Sequence, residues 1–109
     1  MPSMNFMQTA DNLIFKSTII MNITKNYVID AMDKNKKYLC ENRQYIQELQ
    51  YDNKDGDRVC TVEVFYTDDG YIYSIIFTNE MTGDTREFSG AEGDELAKEL
   101  IENNLLPIL

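Results

Sequence analysis

With 109 residues, 43% of them hydrophobic and seven Tyr and five Phe among them, the chain has the composition of one folded domain rather than of a disordered segment. Its net charge of −9, from 19 acidic and 10 basic residues, argues against unaided binding to nucleic-acid phosphates or anionic lipid. A basic protein is the natural counterpart, and neither direct nucleic acid nor membrane is an expected partner. No apolar run reaches the about 18 residues of a membrane span. The start lacks the basic and apolar pattern of a secretory signal, so the expected location is cytoplasmic.

The charge is uneven. Residues 1–40 hold three acids and five bases, net +2, whereas residues 41–109 hold 16 and five, net −11. Residues 1–20 carry only Asp11 and Lys16, and Leu13, Phe15, Ser17 and Ile19 alternate as in a strand. The expected organisation is an N-terminal extension or edge strand over 1–20 and a single α+β domain over 21–109. Abundant Asn, Lys, Ile, Tyr and Asp beside only four Ala suggests an AT-rich gene, such as that of a microbe, phage or plasmid.

Ile23, Tyr27, Val28, Ala31 and Met32 recur at helical spacing behind a cap at Thr24 or Asn22, which predicts a helix over 23–36. Lys34, Lys36 and Lys37 then fall in its last turn or just beyond, where cations suit the helix dipole.

Asp69-Gly70 predicts a two-residue type I′ turn between strands at 59–66 and 71–78, both rich in β-branched and aromatic residues. That register pairs Tyr66 with Tyr73, Val64 with Ile75 and Val62 with Phe77, leaving the apolar residues on one face. A turn at Thr82-Gly83 brings Phe88 opposite Phe77. A loop over 52–57 brings Leu49 opposite Cys60 and Tyr45 opposite Val64, although residues 44–51 also suit a helix. Ser89-Gly90-Ala91-Glu92 reads as a capping box opening a helix to about Asn103, with Leu96, Ala97, Leu100 and Ile101 as its apolar stripe. Pro107 stops that helix inside an apolar tail over 105–109.

The expected fold is therefore α+β: an N-terminal helix, an antiparallel meander of three to four strands, and a C-terminal helix packed on one sheet face. The reverse face, with Thr61, Glu63 and Phe65 beside Ser74, Ile76 and Thr78, is a candidate interface.

The chain has no histidine, which removes the usual general base and the commonest transition-metal ligand. Cys40 and Cys60 have no metal-type or redox-type spacing and read as small buried hydrophobes. Glu63 is the one acid inside a predicted strand, where a solvated or cross-strand role outweighs a catalytic one. Residues 52–57 resemble part of a calcium loop, but aligning Gly56 with the invariant glycine places Tyr51 and Val62 at ligand positions, so a hairpin loop is expected. The glycines before the last helix are followed by Asp94 and Glu95, which repel an anion. No catalytic residue, metal or cofactor is expected.

What remains is acid clusters. In an up-and-down meander the loop with Asp52, Asp55 and Asp57 shares a sheet end with Glu80 and Asp84, forming a carboxylate rim; Asp68 and Asp69 lie at the other end. In size, charge and base bias the chain resembles the small acidic inhibitors of phages and plasmids, anti-CRISPR proteins among them. The expected function is a protein-binding module, most sharply a DNA-mimic inhibitor whose rim, Asp52, Asp55, Asp57, Glu80 and Asp84, blocks a nucleic-acid-handling protein. The alternative is a self-associating structural or regulatory module, a homodimer in its simplest form, and the third reading is a carboxylate enzyme.

Overall fold

The computed structural model describes residues 22–106. The proposed strand within residues 1–20, the tail from Pro107 and the side chain of Cys40 lie outside that description. Two helices and a five-stranded antiparallel sheet in the order β1-β2-β3-β4-β5 follow one another as α1 (Lys25–Lys34), β1 (Lys36–Arg43), β2 (Ile46–Asp52), β3 (Arg58–Tyr66), β4 (Ile72–Asn79), β5 (Thr85–Ser89) and α2 (Gly90–Glu102). The architecture is α+β, with five strands among the described residues against the three to four expected. No helix among the described residues is long and apolar enough to cross a membrane.

Helix α1 opens at Thr24, whose Oγ1 accepts from the Tyr27 amide at 3.1 Å, and it buries Val28, Ala31 and Met32. It stops at Lys34, two residues short of the expected end, because Asn35 is extended and Lys36 already pairs with Asp52. Lys36 and Lys37 are thus strand residues, not helix-end cations. Segment 44–51 resolves as the turn Gln44-Tyr45 (Tyr45 φ 70°) followed by strand from Ile46, with no helix: Gln47, Leu49 and Tyr51 are buried while Ile46, Glu48 and Gln50 are half-buried, a period of two.

The central register is as expected at Val64↔Ile75 and Val62↔Phe77, but the turn is not. Only Gly70 in that loop has positive φ (90°), so a type I′ turn, which needs two such residues, is absent. The Thr67 amide donates to the Tyr71 carbonyl and the Gly70 amide to the Thr67 carbonyl, closing a three-residue loop. A bulge restores the register by pairing Tyr66 with Ile72 and leaving Tyr73 over.

The flanking hairpins are shifted by two residues from expectation. Phe88 opposes Ile75 rather than Phe77, which faces Arg86; Leu49 opposes Val62 rather than Cys60, and Gln47 rather than Tyr45 opposes Val64. A shift of two keeps every side chain on its face, so the apolar pattern tolerates it. The cause in the first case is Asn79, whose Oδ1 accepts from the amides of Met81 and Thr82, while Gly83 (φ 84°) donates to the Asn79 carbonyl. The turn is therefore centred one residue early.

Both helices cover one face. Lys25 bonds to Glu99 and lies 3.3 Å from Glu95, tying α1 to α2, and a single core cluster joins Val28 and Met32 to Val62, Ile75, Phe77, Phe88, Leu96 and Leu100. Helix α2 is capped at Asn103, and the next residue, Asn104 (φ 60°), turns the chain back: the Leu105 amide donates to the Leu100 carbonyl and the Asn104 amide to that of Ile101, capping the last carbonyls.

The capping box is not formed. Ser89 is the N-cap but makes no side-chain cap bond, and Glu92 instead accepts from Arg86 at 2.5 Å. Ser89→Ala is accordingly expected to change unfolding free energy by less than about 0.5 kcal/mol, whereas Thr24→Ala loses a real cap bond and about 1 kcal/mol. Urea denaturation separates the two, and equal losses would contradict this assignment of the caps.

Gly93 lies where α2 meets the sheet. A Cβ there would stand 2.8 Å from the Phe88 carbonyl oxygen and 3.1 Å from its carbon. Alanine favours a helix interior over glycine by about 1 kcal/mol. Overpacking against backbone, which cannot rotate away, costs about 1–3 kcal/mol. Gly93→Ala should therefore destabilise despite its better helix propensity; a raised midpoint in the same titration would show that α2 has room to shift.

Candidate functional site

The described sheet face opposite the helices carries a row of acids. The register sets Glu41 beside Glu48, Glu48 beside Glu63, Glu63 beside Ile76 and Ile76 beside Glu87. Strands lie about 4.8 Å apart, and like charges directly opposite one another oppose folding. Partial relief comes from Arg43, 3.2 Å from Glu41; from Gln50 Nε2, which donates to Glu48 at 3.2 Å; and from Ser74 Oγ, which donates to Glu87 at 2.7 Å. The Glu63 carboxylate makes no ion pair or hydrogen bond among the described residues. Half-buried Ile46, Phe65 and Ile76 accompany it, and Phe65 holds the ring of exposed Tyr73 at 6.4 Å.

The predicted rim sits at the end of this face where the β2–β3 and β4–β5 loops both leave the sheet. Asp52 pairs with Arg58, which also donates to Gln50. Asn53 shapes the first loop: its Oδ1 accepts from the amides of Asp55 (2.9 Å) and Asp57 (3.0 Å), and Gly56 (φ 87°) completes the turn. Glu80 accepts from Thr61 Oγ1 at 2.6 Å, and Asp84 from Thr82 Oγ1 at 3.1 Å. Thr61 belongs to the helix-free face, in the uncharged rung of Gln50, Thr61, Thr78 and Thr85 that separates row from rim, and its bond to Glu80 ties the rim to that face. Asp68 and Asp69 stand at the far end, where the Thr67 hydroxyl holds the Asp69 carboxyl below its ordinary pKa.

Between the rim loops and α1 opens a cleft of about 500 Å³. Tyr27, Ala31, Val59 and Phe77 line it, with Asn35 and Asn53 among its polar residues. Tyr27 stands edge-on to Phe77 at 5.7 Å, and its hydroxyl accepts from Asn79 Nδ2 at 2.9 Å. Cys60 lines the cleft and is 1% exposed; burial, with Glu80's charge adding, pushes its thiol up to about 12, so it is no thiolate nucleophile at neutral pH.

Sequence reasoning overlooked Glu41 and Glu48 because their alignment depends on strands β1 and β2, which charge-rich, weakly alternating residues conceal, and Glu87 because the expected β4–β5 register set it opposite Thr78 rather than Ile76. It overlooked the cleft because Tyr27, Asn53 and Asn79 lie far apart along the chain. Glu48 beside Glu63 is the carboxylate pair a histidine-free enzyme would need, but the pair lies on a helix-free face rather than in a water-excluding cleft. The chain matches no known protein family, no curated protein and no solved structure.

Proposed function

We propose that this protein is a non-catalytic, acidic protein-binding module that occupies a basic surface of a nucleic-acid-handling partner and thereby blocks it, in the manner of a DNA mimic. The observation that carries this reading is the gathering of acids on one sheet face and its end: the row of Glu41, Glu48, Glu63 and Glu87 lies one uncharged rung from the rim of Asp52, Asp55, Asp57, Glu80 and Asp84, and Thr61 of that rung bonds to Glu80. The row is held together against its own repulsion, a cost that a basic partner would offset. An origin in a phage or mobile element and a cytoplasmic location accord with the base bias and charge of the sequence.

The test is capture from the lysate of an AT-rich host, with competitor DNA and with charge-reversed variants. Recovery of a basic nucleic-acid-binding protein that is released by DNA or high salt is the expected result. Asp55→Lys combined with Asp57→Lys and Glu80→Lys should abolish that recovery, while Asp68→Lys with Asp69→Lys should leave it intact. An interaction indifferent to DNA, salt and rim reversal would overturn the proposal.

A second reading, self-association, draws on the half-buried Ile46 and Phe65 beside exposed Tyr73. It expects a dimer mass in dilute solution that salt does not change, whereas like-charged faces predict a monomer.

A further inference from the structure

The geometry points to the cleft beside α1 as the seat of one aromatic side chain with a hydrogen-bond donor, Trp or Tyr, which the partner presents between Lys or Arg residues. The inference rests on the reading above that the partner is basic; the cleft supplies what that reading lacks, an anchoring pocket. Its volume of about 500 Å³ falls within the range that accepts aromatic groups. Phe77 and Cys60, each 1% exposed, form an apolar floor, and Tyr27 is fixed edge-on by Phe77 and Asn79, so the wall is preorganised.

The polar groups of the lining have bonding capacity left over. Asn35 donates through Nδ2 to the Ala31 carbonyl at 2.8 Å, and its Oδ1 accepts nothing among the described residues. Asn53 is occupied at Oδ1 by two amides, and its Nδ2 donates to nothing among them. The free Asn35 acceptor suits an indole N–H or a phenol O–H, which distinguishes Trp and Tyr from Phe. At the same cleft Asp30 and Lys34 pair at 3.0 Å and cancel. Farther out, Asp55, Asp57, Glu80 and Asp84 form no ion pair among the described residues and outnumber Lys36 and Lys54, the cations that border the same end, so the flanking residues of an incoming segment are selected to be cationic. An aromatic anchor in a well-packed pocket, bordered by contacts that exclude water, is the usual arrangement of a binding hot spot.

This chain contains no tryptophan, so the emission of a Trp peptide reports its environment without background. The probes are three blocked peptides: Lys-Arg-Trp-Arg-Lys, the same with Ala for Trp, and Glu-Glu-Trp-Glu-Glu. The expected result is a saturable blue shift with the first peptide and an affinity about tenfold above that of either control, the Ala peptide's being read by its competition against the first. Equal affinity of the Trp and Ala peptides would overturn the cleft while leaving the acidic-surface reading standing. Failure of both basic peptides to bind would overturn both. Equal binding of the acidic Trp peptide would overturn the requirement for basic neighbours. Ala31→Leu, which narrows the cleft, should weaken only the Trp peptides. Should that variant fail to fold, the side-chain amide signals of Asn35 and Asn53 in the unaltered protein decide: they should move with the Trp peptide and not with the Ala peptide, and unmoved signals overturn the assignment.

Discussion

Phe88→Ala is expected to cost about 3–5 kcal/mol, the range for truncating a fully buried aromatic residue. Phe88 is 0% exposed, faces Ile75 across the β4–β5 pair, carries the Arg86 guanidinium 4.3 Å above its ring, and its own carbonyl seats Gly93 of α2. Its loss leaves a cavity where the sheet meets the helix layer, and the backbone contact at Gly93 limits collapse into it. Domains of this size have about 5–15 kcal/mol of total stability, so the variant should melt roughly 15–30 °C lower. Phe65→Ala provides the contrast: Phe65 is half-buried on the helix-free face, and its truncation should cost about 1 kcal/mol or less. Calorimetry of the two variants tests which face is the core. Equal losses would mean that the helix-free face is packed as tightly as the other, and the docking surface proposed on it would go.

Stability should also fall on the alkaline side. In the unfolded chain the Cys60 thiol ionises near 9.0; in the folded chain burial, and secondarily the charge of Glu80, hold it protonated to about 12. Tyr51 is displaced in the same direction from 10.0, by burial first and Cys60 second, and its hydroxyl is buried without a hydrogen-bond partner among the described residues. Both groups are neutral when protonated, so above pH 9 the unfolded state binds fewer protons than the folded one. The stability they contribute is thus fully present below pH 9 and declines from there toward pH 12, on the order of 1 kcal/mol per pH unit. Thermal melts of the unaltered protein and Cys60→Ala from pH 7 to 11 read this directly. The variant should start lower at pH 7 and decline less steeply above 9; parallel curves would show that Cys60 does not titrate on unfolding.

These two residues share the inner face of the sheet with the elements most legible in sequence. Val62, Val64, Ile75 and Phe77 alternate strongly, and their mutual register follows from that alternation and the nearby glycine, even though the turn itself is of another kind. Helix α2 is legible for the same reason: Leu96, Ala97 and Leu100 at helical spacing admit only one buried face. The alternation leaves slips of two residues undecided, because they move no side chain from one face to the other. Both flanking hairpins slipped in just that way.

The candidate surface is less legible because its residues are polar, and burial does not discipline polar residues. That the rim loops share a sheet end follows from an up-and-down chain alone. The alignment of Glu41, Glu48, Glu63 and Glu87 needed the pairing of β1 with β2, including the bulge between Leu39 and Glu41. Ser89 and Glu92 have the sequence of a capping box, yet Arg86, brought near by β5, takes the carboxylate instead. By itself the sequence determined the acidity, the α+β class, the central hairpin register and the last helix, since each depends on composition or on apolar periodicity within a few residues. Only the tertiary structure decided the fifth strand, the outer registers, the acid row and the cleft, since these depend on which distant polar groups meet, and polar side chains at a surface fit many local arrangements equally well.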